Sequence, residues 1–246
     1  MSKSNKSKYF LNNPHKRDVR NLRDEFHQAL LQEEFIIEIP VVENEIIEIT
    51  EDSEGAKLKK VCIQELKYCD EKSTVERIWK INLEQDVLGI STSGSTPECA
   101  ILVLRKYESS YRLNILLIEL KSSIDNKELE KIEEKFSCTM SRVYMLLVLN
   151  NHLNPKQGYV QEEIYVDFQG ILFYDTLSER RNLEENKYSK FSEIIKSDHK
   201  SGTLTCQTIL RDQEKIKIKC FCYPDVDSKT EIKINLEDLL QWRFNE

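Results

Sequence analysis

The chain contains few of the residues that interrupt regular structure. Its 246 residues include only 6 glycines and 5 prolines, which argues against a loop-dominated or disordered protein. No apolar run approaches the roughly 20 residues that cross a bilayer as a helix. The first 13 residues also contain no apolar stretch of the kind that directs secretion. These absences predict a folded cytoplasmic protein with no membrane partner.

The motifs of several common enzyme classes are absent as well. The cysteines number seven, an odd count, and form no C-x-x-C pair, so we expect free thiols rather than a zinc site or a disulfide framework. The four histidines are scattered and form no H-E-x-x-H motif. Glycine-rich nucleotide-binding loops and the G-x-S-x-G nucleophile elbow are missing too. The remaining candidates for chemistry are carboxylates and lysines.

Charged residues are abundant and unevenly distributed. They make up 32% of the chain against 39% hydrophobic residues, which is enough apolar content for a core under a charged surface. The net charge is −7, yet residues 1–23 contain seven basic side chains and one acidic one. This basic arm either contacts phosphates or serves as a solubilising tail. The acidic remainder disfavours a partner held by charge alone, although bound cations can cancel carboxylates at a site.

The pattern of apolar residues predicts an α/β protein whose middle strands are buried on both faces. A helix is predicted over residues 74–85, because Ser73 and Glu76 have the spacing of a capping box. Another is predicted over residues 126–150, with the alternative that a buried strand follows a break near Ser141. Further helices are predicted over residues 16–32, 186–197 and 237–242. Strands are predicted within residues 35–40, 44–50, the second half of 56–69, 98–105, 112–121, 162–176, a hairpin over 203–222, and 231–236.

Two neighbouring apolar strands carry charged residues near one end. The second of them, NILLIELK, is typical of a central strand and places Glu119 and Lys121 on the same face, since they are two residues apart. A turn near residues 107–111 makes the two strands an antiparallel hairpin and brings Glu98 opposite Glu119. Charge near a buried strand is costly unless it is paired or bound to metal. The residues therefore form either a salt bridge at the rim or a functional site.

These residue types are sufficient for phosphodiester hydrolysis. Two adjacent carboxylates resist joint ionisation, and a divalent cation removes that conflict. Mg²⁺ takes hard oxygen ligands, usually one or two protein carboxylates together with waters. Such an ion polarises a phosphoryl oxygen and acidifies a bound water. A neighbouring lysine can hold or activate that water and offset developing negative charge.

The same stretch resembles the signature of the PD-(D/E)xK nuclease superfamily. Pro97 and Glu98 are followed by twenty residues and then by Glu119, Leu120 and Lys121. Members of that superfamily typically have a helix, a meander of strands that carries the motif, a following helix and another strand. The resemblance implies a restriction-endonuclease-like fold, a mixed central sheet flanked by helices, with extra N- and C-terminal elements. The expected divisions are a basic arm (1–15), an N-terminal helix and strands (16–72), the nuclease core (73–175), and a C-terminal hairpin and helix packed on the same domain (176–246).

The resemblance also implies a role for each residue. Glu98 and Glu119 would be ligands of Mg²⁺, for which Mn²⁺ can substitute. The backbone carbonyl of Leu120 would face the metal, and Lys121 would position or activate the attacking water. The implied function is a Mg²⁺-dependent endonuclease that cleaves DNA. Because each site cuts one strand of a two-fold symmetric duplex, we expect a homodimer. The expected setting is defence against foreign DNA, or processing of mobile or damaged DNA. The alternatives are a nuclease-fold module without activity that binds DNA or a protein, a nuclease that acts on RNA, and one component of a larger complex that supplies target recognition.

Two departures and one competing motif bear on this assignment. The usual aspartate of the family is Glu98 here. Many members add an acid from the preceding helix, for which Glu76 and Glu84 are the candidates and Asp86 is a third. The chain also contains a second E-x-K sequence at residues 65–67, but that copy lacks a Pro-acid pair on a preceding strand and has less apolar flanks. We therefore place the site at residues 98, 119 and 121.

Overall fold

A computed structural model provides the fold of the protein. The elements described in it are ten strands and two helices. The residues it describes are 35–84, 96–108, 110–124, 126–149, 163–177, 201–207, 215–223 and 231–241. The elements are β1 (Ile36–Ile39), β2 (Ile47–Thr50), β3 (Lys60–Gln64), β4 (Thr74–Asn82), β5 (Cys99–Lys106), β6 (Ser110–Ile124), α1 (Asn126–Leu149), β7 (Glu163–Leu177), β8 (Ser201–Gln207), β9 (Lys215–Cys222), β10 (Glu231–Asn235) and α2 (Leu236–Leu240).

The main sheet has seven strands in the order β1-β4-β5-β6-β7-β9-β8. Strands β4, β5 and β6 are consecutive neighbours in this sheet and form an antiparallel meander. Helix α1 then connects β6 to the parallel strand β7, as expected because parallel neighbours need a long crossover connection. Strand β9 is parallel to β7, and β8 closes the edge in the antiparallel direction. The mixed sheet confirms the predicted α/β class.

A second sheet of three strands, in the order β10-β3-β2, covers one face of the main sheet. Strand β10 pairs in parallel with β3, so that Ile234 lies beside Ile63. Residues from the early and the late parts of the chain therefore build this sheet together. Its apolar side chains form one core with Ile118 and Phe173 of the main sheet.

Helix α1 covers the opposite face of the main sheet and is continuous from Asn126 to Leu149. Its buried residues Ile132, Phe136, Met140 and Val143 recur at helical spacing and pack against that face. The alternative of a strand after a break near Ser141 is therefore excluded. Since both faces are covered, every residue of β6 from 113 to 120 is buried, which confirms the predicted central strand.

The predicted helix over residues 74–85 is wrong, because residues 74–82 form β4. Ser73 caps no helix there, since its N–H and hydroxyl donate to Asp70 Oδ1 at 2.6 and 3.0 Å. Ile78 and Trp79 are both fully buried, one in each of the two cores. Adjacent residues that point to opposite buried faces suit a strand, and pairing with β1 and β5 on both sides prevails over the helical spacing.

Most other predicted elements are confirmed. The hairpin predicted over residues 203–222 corresponds to antiparallel β8 and β9, and the last strand and helix correspond to β10 and α2. Six cysteines are free thiols, as predicted: Cys62, Cys69, Cys99, Cys138, Cys220 and Cys222. The predicted helices over residues 16–32 and 186–197 lie outside the described residues. None of the described helices is long and apolar enough to cross a membrane.

The packing of α1 on the sheet can be tested at Gly170 of β7. A Cβ atom at this position would lie 2.7 Å from Ile218 Cγ1 and 3.1 Å from two ring carbons of Phe136. We expect Gly170→Ala to destabilise the protein by roughly 1–3 kcal/mol, because the well-packed core must shift to admit the methyl group. Urea unfolding measures the difference. Gly55→Ala is the control, since a Cβ there has no atom within 4 Å, and equal stability of the two variants would contradict the described packing.

Candidate functional site

The two predicted carboxylates lie side by side at one end of the main sheet. Cys99 of β5 pairs with Ile118 of β6. At the next position of this antiparallel pair, Glu98 therefore lies opposite Glu119. Glu98 is 6% exposed and Glu119 is 0% exposed. Alternation along each strand directs both side chains toward the face that α1 covers. The structure thus brings together the two residues that the sequence analysis singled out.

Two ammonium groups converge on Glu119. Lys121 Nζ lies 2.8 Å and Lys135 Nζ lies 2.7 Å from the same oxygen, Glu119 Oε1. The predicted pair of Glu119 and Lys121 therefore forms, but around a fully buried carboxylate rather than at an exposed rim. Glu119 Oε2 is buried and has no hydrogen-bond partner. One oxygen of this carboxylate is thus paired twice, while the other is left for a further ligand.

Lys135 is a member of the site that the sequence analysis missed. It lies on α1, immediately before the buried residue Phe136. In the sequence it resembles Lys131, one turn earlier, whose ammonium pairs with Glu128 on the same helix. Because residues four apart lie on the same face of a helix, the position of α1 along its axis, which the sequence does not specify, decides which of the two lysines reaches Glu119.

Glu98 has an environment that favours its neutral form. Burial is the main cause that raises the pKa of Glu98 well above its usual range, and the nearby charge of Glu119 raises it further. The N–H of Leu120 donates to Glu98 Oε2 at 2.9 Å, and this bond and Lys121 act in the opposite direction. Glu98 therefore keeps its proton to a higher pH than an ordinary glutamate does.

Glu51, which follows β2, is a second residue that the sequence analysis missed. Its Oε1 accepts the N–H of Ser53 at 2.9 Å. Although partial burial acts in the opposite direction, the bonds from Ser53, the charge of Lys121 and a hydrogen bond with the Glu98 carboxyl together lower the pKa of Glu51. The small sheet thus brings an ionised carboxylate beside Glu98.

Of the candidates for an additional acid, the structure favours Glu84 over Glu76. Glu84 follows the end of β4 where Asn82 pairs with Cys99, which is the end of the sheet that carries the site. Partial burial raises the pKa of Glu84, as do the neighbouring carboxylates, among them Glu119. Both side chains are exposed, but Glu76 lies at the opposite end of β4, where the ladder has a bulge. Asp86 lies outside the described residues.

The second E-x-K sequence lies apart from this arrangement. Glu65 and Lys67 are exposed in the loop after β3, and Glu65 has a left-handed backbone with φ 55°. Lys67 pairs with the exposed Glu43 at 3.6 Å. Neither charge is desolvated, so this copy of the motif has the properties of a surface loop.

The donor set of the site is compatible with a hard divalent cation. Among the described residues, no group of three or more histidine, cysteine, aspartate or glutamate side chains is arranged to hold a metal ion. Glu98 and Glu119 nevertheless provide two adjacent carboxylates, and Glu119 Oε2 is an unpaired acceptor. Mg²⁺ commonly binds through one or two protein carboxylates and keeps its other ligands as waters.

Comparisons with known proteins do not identify the chain. No family model, curated protein or solved structure matches it. The PD-(D/E)xK resemblance consequently depends on residues 97–121 and on their place in the fold. Function has to be inferred from the site itself.

The environment of Glu98 predicts a measurable pH dependence of stability. Because its pKa is raised in the folded state, the folded protein binds more protons than the unfolded chain between the usual glutamate pKa and the raised one. The free energy of unfolding therefore falls as pH rises through this window, by at most about 1.4 kcal/mol per pH unit. We expect Glu98→Gln to remove this decrease, so that the variant gains stability relative to wild type as pH rises.

Urea unfolding between pH 5 and 8 in EDTA measures this difference. The glutamine keeps an oxygen that can accept the Leu120 N–H, so the comparison isolates the titration of Glu98. Glu76→Gln, an exposed position of β4, is the matched control and should follow wild type. A constant difference between Glu98→Gln and wild type across this range would show that Glu98 is ionised throughout.

Proposed function

We propose that the protein is a Mg²⁺-dependent endonuclease that hydrolyses phosphodiester bonds of DNA. The observation that carries this proposal is the burial of Glu98 and Glu119 side by side, with Lys121 on the same face of β6. The order of the meander, α1 and the parallel strand β7 supports it, since the PD-(D/E)xK resemblance implies that order. Strand β4 stands where a helix was predicted, so the meander begins with one more strand than expected.

The residues of the site suit the steps of this reaction. Glu98 and Glu119 would hold the Mg²⁺, with the Leu120 carbonyl as the further ligand implied by the resemblance. When bound, the ion supplies polarisation of a phosphoryl oxygen and acidification of a water. Lys121 has N–H donors beyond the one it directs to Glu119. It can therefore hold a water for attack on phosphorus and offset the negative charge that develops there.

The wider assignment follows from the chemistry of duplex DNA. Each site cuts one strand, so a homodimer with two-fold symmetry would match the symmetry of the duplex. Cleavage of foreign, mobile or damaged DNA in the cytoplasm is the setting that we propose for this activity.

A second candidate function is a module without activity that binds DNA or a protein partner. The contacts of the carboxylates in the described structure favour this alternative. Glu119 Oε1 already has two ammonium partners, and Glu98 accepts the Leu120 N–H and favours its neutral form. Both side chains are thus stabilised without a cation. Binding of a divalent ion that requires both carboxylates would separate the two functions.

DNA cleavage is the direct test of the proposed activity. We expect wild type to nick a supercoiled plasmid with Mg²⁺ or Mn²⁺. Glu119→Gln and Lys121→Met should each lose about 10² or more in rate, because they remove a metal ligand and a charge that stabilises the transition state. The double variant Glu65→Gln, Lys67→Met is the matched control. It changes the same residue types at the same spacing in an exposed loop, and it should cleave like wild type.

The outcomes of this experiment separate the possible sites. Activity that survives both substitutions would move the site away from β6, and loss of activity in the control would move it to the loop after β3. If wild type cuts neither plasmid, linear nor single-stranded DNA with either metal, the binding module becomes the leading function. Circular dichroism of each variant establishes that it is folded.

Metal binding can be measured without any substrate. We expect Mn²⁺ to bind wild type in calorimetric titrations and to bind neither Glu98→Gln nor Glu119→Gln measurably. The affinity should increase with pH, because Glu98 must release its proton before it can act as a ligand. Undiminished Mn²⁺ binding by either variant would contradict a site built from these two carboxylates.

A further inference from the structure

Two ammonium groups share the one buried carboxylate of Glu119. Lys121 and Lys135 both approach Glu119 Oε1, at 2.8 and 2.7 Å, and their side chains are 22% and 16% exposed. One carboxylate neutralises one ammonium group. The charge of the second ammonium is offset by carboxylates that are less buried than Glu119, because Glu51 interacts with Lys121 and Glu84 with Lys135.

The position of Lys135 is fixed by the core. Its neighbours on α1, Ile132 and Phe136, are fully buried, and Phe136 contacts β7 at Gly170. The helix therefore cannot rotate to move Lys135 away from the sheet without disturbing this packing. A lysine on a rigid helix, directed at the end of the strand that carries the candidate catalytic residues, is suited to a ligand at that end.

Both lysines keep the capacity to bind a second acceptor. An ammonium group has three N–H donors, and each lysine directs one of them to Glu119 Oε1. If Glu119 serves as a metal ligand, its negative charge is shared with the cation and no longer compensates two ammonium groups. The remaining N–H donors of both lysines can then bind another anion, and the phosphate of the substrate is the anion that the proposed reaction supplies.

We propose that Lys135 and Lys121 form a two-lysine clamp that binds the scissile phosphate. This inference rests on the proposed nuclease function and assigns to Lys135 a contact with the substrate. Lys135 neither gives nor takes a proton in this role, since it acts only as a fixed positive charge with N–H donors. The competing role is structural, in which Lys135 merely ties α1 to β6 through Glu119.

The salt dependence of DNA binding distinguishes a phosphate contact from a structural tie. A contact with one phosphate contributes about 0.9 to the slope of log affinity against log salt. We expect Lys135→Met to weaken binding of a labelled duplex roughly tenfold at low salt and to reduce this slope by about 0.9. Fluorescence anisotropy in Ca²⁺ buffer measures both, with a gel to establish that the DNA stays intact. Lys135→Arg, which keeps the charge, should restore both.

Lys131→Met is the matched control on the same helix. Lys131 is 64% exposed and pairs with Glu128 at 2.7 Å, so its replacement should leave affinity and slope close to wild type. Single-turnover cleavage with Mg²⁺ should fall about 10²-fold in Lys135→Met and less than about twofold in Lys131→Met. Equal slopes for the two variants would overturn the clamp, because Lys135 would then be a structural tie or part of a general basic surface.

A replacement variant and the cleavage activity of wild type separate failure of the clamp from failure to fold and from failure of the nuclease function. If urea unfolding shows that the Lys135→Met variant is not folded, Lys135→Gln replaces it. Glutamine keeps an N–H donor for Glu119 without the charge. If wild type cleaves DNA and the Lys135 variant matches it in rate and slope, only the clamp is overturned. If wild type does not cleave DNA but the slope depends on Lys135 and not on Lys131, the phosphate contact stands and the nuclease function falls.

Discussion

The complete burial of Glu119 on the central strand is the constraint around which the site is organised. A carboxylate removed from water is strongly unfavourable unless charges and hydrogen bonds compensate it. Here the compensation comes from two elements, with Lys121 on the same strand and Lys135 on α1. Burial raises the pKa of Glu98 well above its usual range, and the charge of Glu119 raises it further. The ammonium partners on both elements and part of the pKa shift of Glu98 thus depend on one side chain.

The small sheet contributes to this end of the main sheet from the other face. The loop between β2 and β3 is joined to the end of β6, because the N–H of Lys57 donates to Ser122 Oγ at 2.6 Å. The Lys57 ammonium also lies 3.9 Å from Asp175 at the end of β7. These contacts hold the loop that begins with Glu51, whose pKa the neighbouring Glu98 carboxyl helps to lower. Since β10 completes the small sheet, the late part of the chain supports the site indirectly.

The sequence predicted the hairpin of the site well and its surroundings poorly. The long aliphatic runs of β5 and β6 permit only a central strand, and the alternation of side chains then fixes the faces of Glu98, Glu119 and Lys121. Strand β4 was misread because Ser73 and Glu76 happen to have capping-box spacing, whereas its real determinant is pairing with strands on both sides. That pairing is a tertiary effect, which local patterns do not encode.

Lys135 and Glu51 could not have been singled out from the sequence, for related reasons. Lys135 and Lys131 lie one turn apart on the same face of α1, and the packing of Phe136 against Gly170 sets which of them lies beside Glu119. Glu51 reaches Glu98 only because the small sheet packs across the main sheet. Both residues are brought to the site by contacts between elements, so no spacing along the chain identifies them.

The two E-x-K sequences of this chain show that burial, rather than the motif, creates a site. Around residues 65–67 the charges are solvated, and Lys67 pairs with an exposed glutamate. Around residues 119–121 the charges are buried or half-buried, so Glu119 binds two ammonium groups and raises the pKa of Glu98. With Glu98 neutral, the four innermost groups, which are Glu98, Glu119, Lys121 and Lys135, carry one excess positive charge. Release of the Glu98 proton makes them neutral, and a bound divalent ion would then make them doubly positive. Deprotonation and cation binding together would therefore increase the net positive charge at the position where a phosphate has to bind. Metal binding would then favour substrate binding through electrostatics alone.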